Sequence, residues 1–553
     1  MVRNALGRSI IARFIFPLST IVKTQMLFNS YIFILFFLPV TVIIFYRIGS
    51  VMGQQAAILW LVSASFLFYA WWNPAYLLLL IGSMSLNYWI GRGLTIHADQ
   101  QSISVRRKAL LVLGVFSNLI ILGYSKYANF FVDNANLIFE QSYHLETIVL
   151  PLAISFFTFQ QIAYLVDTYR GITHEHNFSH YCLFVIFFPQ LIAGPIVQHK
   201  EMLPQFLHNS IYRFAHDRIA VGLSIFFIGL FKKVVIADSI ALYSTPMFDG
   251  AHQGATISFF PAWGGALSYT FQLYFDFSGY SDMAVGLAYL FGIRLPLNFY
   301  SPYKATSIIE FWKLWHITLS RFLRDYLYIP LGGNRKGPSR RMTNLLITML
   351  LGGLWHGAGW TFVIWGALHG LYLILNHLWR AFYCFLTGGT EQQVCCGQYI
   401  ARFITFLAVV VAWVFFRADS LDTAIEIVKA MTGANGVILP RGYLDYFNQL
   451  FSLGNVLQSI GWRFELNVGY FGGINQILLL TLLLIIVWFL PNTYQILGKY
   501  SPAIDSTSVS KFANASSVIQ WQPRPVVALA FSLLFFVIIF KMDSTSEFLY
   551  FQF

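Results

Sequence analysis

The stretch Glu310–Trp360, EFWKLWHITLSRFLRDYLYIPLGGNRKGPSRRMTNLLITMLLGGLWHGAGW, decides the reading of this chain. It carries two histidines forty positions apart, His316 and His356, each directly after a tryptophan. Trp312, Trp315, Leu319, Phe322 and Tyr326 recur every three or four residues, which predicts one amphipathic helix through the first half. His316 lies beside its apolar face, one turn after Trp312. On the same helix Arg321 and Asp325 stand four apart, where side chains meet. Lys313, Arg321 and Arg324 form a basic face suited to an anionic surface. Pro330 and Gly332-Gly333-Asn334 end the helix. His356 follows the apolar run Leu345–Trp355 and precedes Gly357 and Gly359, so it sits near membrane depth where the backbone can bend.

Composition extends this reading to the whole chain. Of 553 residues, 57% are hydrophobic and 10% charged, and the mean hydropathy is +0.63. Soluble domains carry about 25% charged residues, so most of this chain must face lipid or other membrane helices. The formal net charge of +12 is not a nucleic-acid signature, because no basic domain, stacking motif or zinc finger accompanies it. Basic loops facing anionic lipid account for it. Cys182 opens an apolar run and reads as a small core residue. The adjacent Cys395-Cys396 pair lacks metal-ligand spacing, and Cys384 adds no framework.

Apolar runs long enough to cross a bilayer, at about 20 helical residues each, occur near 28–46, 55–72, 75–91, 109–131, 148–166, 219–243 and 257–278. Others lie near 343–355, 359–378, 400–416, 475–491 and 525–541. The expected fold is therefore all-α and polytopic, with roughly 11–12 transmembrane helices plus short re-entrant or interfacial helices. Segment 181–197 is apolar but broken by Pro189, Gly194 and Pro195. It reads as short or re-entrant, buried in protein or lining a cavity.

Charge orients the bundle. Connection 294–342 carries nine Lys or Arg against two acids, and 91–108 is also basic, so both are expected in the cytoplasm. Connection 133–147 holds Asp133, Glu140 and Glu146 with no Lys or Arg, which fits the exterior. Three spans precede 91–108, so the N-terminus should lie outside, yet residues 1–25 carry Arg3, Arg8, Arg13 and Lys23. That conflict makes 1–25 an expected basic extension before a start at Met26, or a surface-lying segment. The remaining 26–553 is expected to form one membrane domain with a catalytic core at about 150–380.

Ionisable groups at membrane depth are costly and ask for a reason. A neutral imidazole at His356, framed by Trp355, Gly357 and Trp360, can accept a proton; the alternative is a buried histidine bonded to a neighbouring helix. For His316 the alternative is an interfacial anchor at headgroup level. Their joint appearance suits a base and an orienting partner supplied by separate segments. Asp276 and Asp282, in YFDFSGYSDMAVG, are expected either to orient a histidine or line a tunnel, or to bond within the bundle. Gly279-Tyr280-Ser281-Asp282-Met283 is not a nucleophile elbow, because Met283 stands where the second glycine belongs. His174, His176 and His180 read as a solvated loop rather than a metal site. His369 and His377 read as packing or pore-lining. With no phosphate-binding glycine loop, an ATP-driven pump is not expected.

Five segments in this order, LPLAISFFTFQQIAYLVDTYRG (150–171), FFPQLIAGPIV (187–197), YFDFSGYSDMAVGLAYLFGIRLPLNFYSPY (274–303), FWKLWHITLSRFLRDYLYIPLGGNRKG (311–337) and GGLWHGAGWTFVIWGALHG (352–370), together with the ending EFLYFQF, resemble the membrane-bound O-acyltransferases. The likeness runs from about Met26 to Phe553 and is strongest with the bacterial polysaccharide branch. The resemblance implies a helical bundle around a central funnel, with His356 as the family's invariant histidine. It places His316 at the second functional position, which is Asn or Asp in many eukaryotic relatives. It further implies Trp312, Trp315, Arg324, Asp325, Asn334, Trp355, Asp276 and Asp282 as substrate-binding or tunnel-lining candidates.

The implied donor is acetyl-CoA or another acyl thioester, with no bound cofactor or metal. The acetyl group would cross a bacterial inner membrane to an extracytoplasmic acetyltransferase partner that modifies an exported polysaccharide such as alginate or peptidoglycan. Membrane lipid is the other expected neighbour, and nucleic acid is not expected. Two alternatives stay open. One is a secondary transporter or channel without acyl chemistry, which predicts a repeat of the Trp-His segments that the sequence does not show. The other is a relative that acylates a lipid or protein hydroxyl.

Overall fold

The computed structural model describes residues 26–96, 104–146, 148–387, 395–449, 453–504, 519–542 and 549; the expected basic extension 1–25 lies outside them. Every predicted apolar run contains a helix: Phe33–Val51, Gln54–Ala70, Tyr76–Ile96, Ser104–Phe139, Ile154–Tyr169, His216–His252, Phe259–Leu290, Gly337–His356, Trp360–Leu386, Cys395–Arg417, Gly473–Phe489 and Pro525–Lys541. Among the described residues, five helices are long and apolar enough for a full crossing by length and composition alone. The chain is a multi-pass membrane protein. Ser104–Phe139 has 36 residues and His216–His252 has 37. At about 1.5 Å per residue both exceed the hydrocarbon core, which is why the apolar runs within them underestimate the helices.

Cross-links show which connections share an end of the bundle. Trp360 Nε1 donates to Asn134 Oδ1 at 2.9 Å, and Phe259 N donates to the Gly436 carbonyl at 3.1 Å. At the opposite end, Lys304 Nζ donates to the Leu490 carbonyl at 2.7 Å and Gln205 Nε2 to that of Arg294 at 3.0 Å. The acid-only connection 133–147 and the basic connection 294–342 thus lie at opposite ends, as their charges require. Two short parallel strands, Ile438–Pro440 and Arg463–Glu465, sit in the connection before Gly473.

Irregular backbone enters the bundle in two places. The first is the expected broken segment: helix Phe178–Ile186, a break at Phe187, one turn at Phe188–Leu191, then extended chain to Gln198. Residues 181–199 are all buried, so protein and not lipid surrounds the exposed backbone groups. The second corrects the single amphipathic helix predicted from Trp312 to Tyr326. The chain forms helix Ile308–Leu314, turns at Trp315 and His316, forms helix Ile317–Leu323 and ends in a π-turn, Arg324–Tyr328. The Arg321–Asp325 pair does not form. Arg321 Nη2 instead reaches Glu201 Oε2 at 2.9 Å, and Asp325 Oδ1 accepts from Arg324 Nε at 2.7 Å.

Helix Phe259–Leu290 is buried nearly throughout and packs along His216–Phe231. Glycines permit that approach. A Cβ on Gly229 would stand 2.5 Å from the Gly279 carbonyl oxygen, and one on Gly286 2.6 Å from that of Gly222. Between membrane helices association rests on packing of this kind, not on water exclusion. Gly286→Val should therefore destabilise the bundle by about 3 kcal/mol, the upper range for overpacking. Thermal melting of the purified protein in detergent checks this against Gly82→Val, where no atom lies within 4 Å of the added Cβ and no change is expected.

Candidate active site

His356 is the last residue of helix Gly337–His356, and the chain leaves in extended form at Gly357. A helix ending inside a membrane exposes its final carbonyls. Here a pair on the neighbouring helix Ser104–Phe139 satisfies them. Tyr127 Oη donates to the Leu354 carbonyl at 2.8 Å, and Lys126 Nζ donates to those of Trp355 and His356, the latter at 2.9 Å. The imidazole of His356 sits in an aromatic cage, with ring centroids of Trp355, Trp365 and Phe416 at 4.9, 5.1 and 5.2 Å.

His316 occupies the turn between the two short helices with φ 42° and ψ 53°, a left-handed conformation in a residue with a side chain. That conformation costs about 1–2 kcal/mol. Asn298 holds it. Its backbone carbonyl accepts from Ile317 N at 3.0 Å. Its side-chain Oδ1 accepts from His316 Nδ1 at 2.9 Å and from Thr318 Oγ1 at 3.0 Å. Each such bond contributes about 1 kcal/mol net, enough together to offset the strain. Asn298 Nδ2 faces Ser281 Oγ at 3.3 Å, and Thr318 Oγ1 accepts from Ile196 N at 3.0 Å, so the hub also ties in the broken segment. Because Asn298 Oδ1 is an acceptor, Nδ1 of His316 carries the proton and Nε2 is its basic nitrogen.

The two imidazole centroids are 6.4 Å apart, both buried, with Trp355 beside both at 6.2 and 4.9 Å. Phe277 packs edge-on to His316 at 4.7 Å. A cavity of about 210 Å³ reaches the His356 side of this pair, lined by Trp355, His356, Lys126, Ser155, Phe156 and residues 149–154 among others. Its wall includes the chain that follows the acid-only connection. Two neutral bases at this separation, with a cavity between membrane helices, can take and return a proton around one acyl carbon.

Other candidates fall in different places. Trp312 and Trp315 support the site from behind: Trp312 Nε1 donates to His369 Nδ1 at 3.3 Å, and Trp315 packs on Trp413 at 4.9 Å. His369 is packing, as expected. Arg324 and Asp325 pair with each other on the half-buried π-turn, and Asn334 is exposed in the turn beyond. Asp276 and Asp282 bond within the bundle, one of the two roles expected of them. They bind consecutive lysines on a π-turn of the His216–His252 helix, Lys233 Nζ to Asp276 Oδ1 at 2.7 Å and Lys232 Nζ to Asp282 Oδ2 at 2.6 Å. In HEHNFSH, His174 and His176 are exposed, but Glu175 is buried, with His199 Nε2 at 3.3 Å and His180 Nδ1 at 3.8 Å. Burial pushes its carboxyl up, yet the His199 and Asn177 hydrogen bonds prevail and hold it below the usual range. Sequence reasoning missed Asn298, Thr318, Lys126 and Phe416. For Lys126 a signal was present, a lone cation in an apolar run.

Comparison with known proteins decides the family. The membrane-bound O-acyltransferase family matches residues 169–416. A peptidoglycan O-acetyltransferase of Helicobacter pylori is 47% identical over 444 residues, 75% of this chain and 81% of the relative. A probable alginate O-acetylase of Pseudomonas putida is 40% identical over 537 residues, 96% of this chain and all of the relative. That of Pseudomonas aeruginosa is 45% identical over 414 residues, 73% and 75% of the two chains. The chain belongs to the membrane-bound O-acyltransferase family. It is an acyltransferase, and the transporter alternative without acyl chemistry falls away. Loss of the Asn298 hub should cripple it. Asn298→Ala is expected to lower acyl transfer at least about tenfold, a fraction of what a set general base supplies, whereas Ser281→Ala should have a small effect. Acyl product measured in membranes with matched protein levels checks both.

Proposed function

We propose that the chain takes an acetyl group from acetyl-CoA at the basic, cytoplasmic end and passes it across the bundle for O-acetylation of an exported polysaccharide of the peptidoglycan or alginate type. The observation that carries this is the pair of buried imidazoles 6.4 Å apart beside a cavity walled from the acid-only side. The acceptors named for the relatives support the polysaccharide. Exposed Lys313, Arg324, Arg335, Lys336 and Arg340 on the basic connection suit the phosphates of CoA. The membrane is then the bacterial inner membrane, and an extracytoplasmic acetyltransferase is the partner that completes transfer to the sugar. No bound metal or organic cofactor is called for.

In this mechanism His356 removes the proton from the attacking hydroxyl as oxygen joins the thioester carbonyl carbon. The carbon–sulfur bond then breaks and the thiolate leaves with a proton. His316, protonated on Nδ1 toward Asn298, offers Nε2 as an acceptor. It suits the thiol S–H of free CoA better than the carbonyl oxygen, which needs a donor.

Mild base releases ester-linked acetate from the cell's polymers, and its amount reads the pathway. His356→Ala at normal membrane level is expected to lower it on the order of 100-fold, the scale of a lost general base, and His316→Ala to lower it clearly. His377→Ala, outside the cage, is expected to leave it unchanged. Unchanged acetate in a well-expressed His356→Ala strain would overturn the reading, and acetate lost from a lipid fraction alone would move the acceptor to a lipid.

A further inference from the structure

Among the described residues, Lys126, Lys232 and Lys233 sit within the apolar helices of the bundle, and two of them are neutralised. Lys232 and Lys233 pair with Asp282, Asp276 and Asp238 at 2.6–2.7 Å. Lys126 faces no carboxylate among the described residues. Its ammonium is held by the carbonyls of Trp355 and His356 and lies 5.8 Å from the centre of the Trp355 ring. Carbonyls at a helix C-terminus and an aromatic face favour a cation through partial charges only. These contacts fix the nitrogen in place, and no carboxylate among the described residues pairs with it. An ammonium has three N–H bonds, and the carbonyls use two. Lys126 also lines the cavity that His356 lines.

Acyl transfer needs a donor at the carbonyl oxygen. When the hydroxyl oxygen adds to the carbonyl carbon, the π electron pair moves onto that oxygen, and His356 takes the hydroxyl proton. The pair returns as the carbon–sulfur bond breaks. His356 acts as the base, and His316, as the Nδ1–H tautomer, has its one N–H directed to Asn298, so neither donates to the oxyanion. We propose that Lys126 is the catalytic residue that does: its third N–H donates into the cavity to the acyl oxygen as negative charge develops there. This rests on the reading of His356 as the base of acyl transfer. An uncancelled cation in a water-poor site is worth far more to a developing oxyanion than to a neutral carbonyl, so its effect falls on kcat.

The test uses membranes from cells expressing the full chain, supplied with radiolabelled acetyl-CoA, with label in base-labile polymer ester as the product. Lys126→Gln and Lys126→Met are expected to lower kcat on the order of 100-fold with KM for acetyl-CoA within about twofold, the pattern of a lost oxyanion donor. Lys126→Arg, which keeps the charge, is expected to recover much of the rate. Gln also donates to carbonyls, so its melting temperature in detergent should stay close to wild type. A rate near wild type in Lys126→Gln overturns the proposal and leaves Lys126 a helix cap. A loss that appears only in KM, or equal loss in Arg and Met, also overturns it. If His356→Ala keeps full incorporation in the same assay, the underlying reading of the base has failed instead.

Discussion

The site depends on one carboxamide. Asn298 accepts from His316 Nδ1 and Thr318 Oγ1 on its side chain and from Ile317 N on its backbone. Without water to compete, each of these groups would otherwise pay a desolvation cost of about 1–3 kcal/mol. The hub therefore does two things at once. It fixes the tautomer of a catalytic candidate, and it makes a left-handed turn stable in the middle of a run that helical periodicity alone would carry straight through. Through Thr318 and Ile196 N it joins the two stretches of irregular backbone that enter the bundle.

Those stretches explain the aromatic richness of the core. Short helices and turns leave gaps that straight helices would fill, and Phe277, Phe299, Trp315, Trp355, Trp365, Trp413 and Phe416 close them with ring-to-ring contacts between 4.7 and 6.4 Å. Rings exclude water and lipid without adding charge, so the two imidazoles sit in a medium where proton transfer and electrostatic effects are strong. The ends of helix Gly337–His356 and its neighbour Trp360–Leu386 need only Gly357, Ala358 and Gly359 between them. His356 is thus carried on a helix terminus, with its backbone braced by Lys126 and Tyr127.

The spans, the broken 181–197 segment and the opposite placement of basic and acidic connections were legible because each follows from local hydropathy and charge. His316 and His356 were legible as a pair because few ionisable residues stand at membrane depth, and each of these follows a tryptophan. The kink at His316 was not, because Trp312, Trp315, Leu319 and Phe322 fit one helix face and the force that breaks it comes from Asn298, eighteen residues upstream. The partners of the aspartates were not legible for a related reason. Nothing near Asp276 or Asp282 in sequence reveals Lys232 and Lys233, which face them only because a π-turn and glycine contacts bring the two helices together. Asn334 and Arg324 share the motif stretch but lie on its exposed side, with Asp325 half-buried beside Arg324.

The arrangement of charge gives the proposed transfer a direction. The basic connection gathers exposed cations where an anionic thioester would arrive, while the lysines deeper in the bundle are cancelled by Asp276, Asp238 and Asp282. A CoA phosphate thus gains little by moving past the basic end. On the other side of His356 stands Lys126, which no carboxylate among the described residues pairs with, beside a cavity walled by residues 149–154. That cavity holds an acyl group but not a nucleotide, because about 210 Å³ is smaller than a cofactor-sized pocket. In the proposed transfer the neutral acetyl group advances while its carrier stays behind, and the point of separation lies beside His356, which lines the cavity.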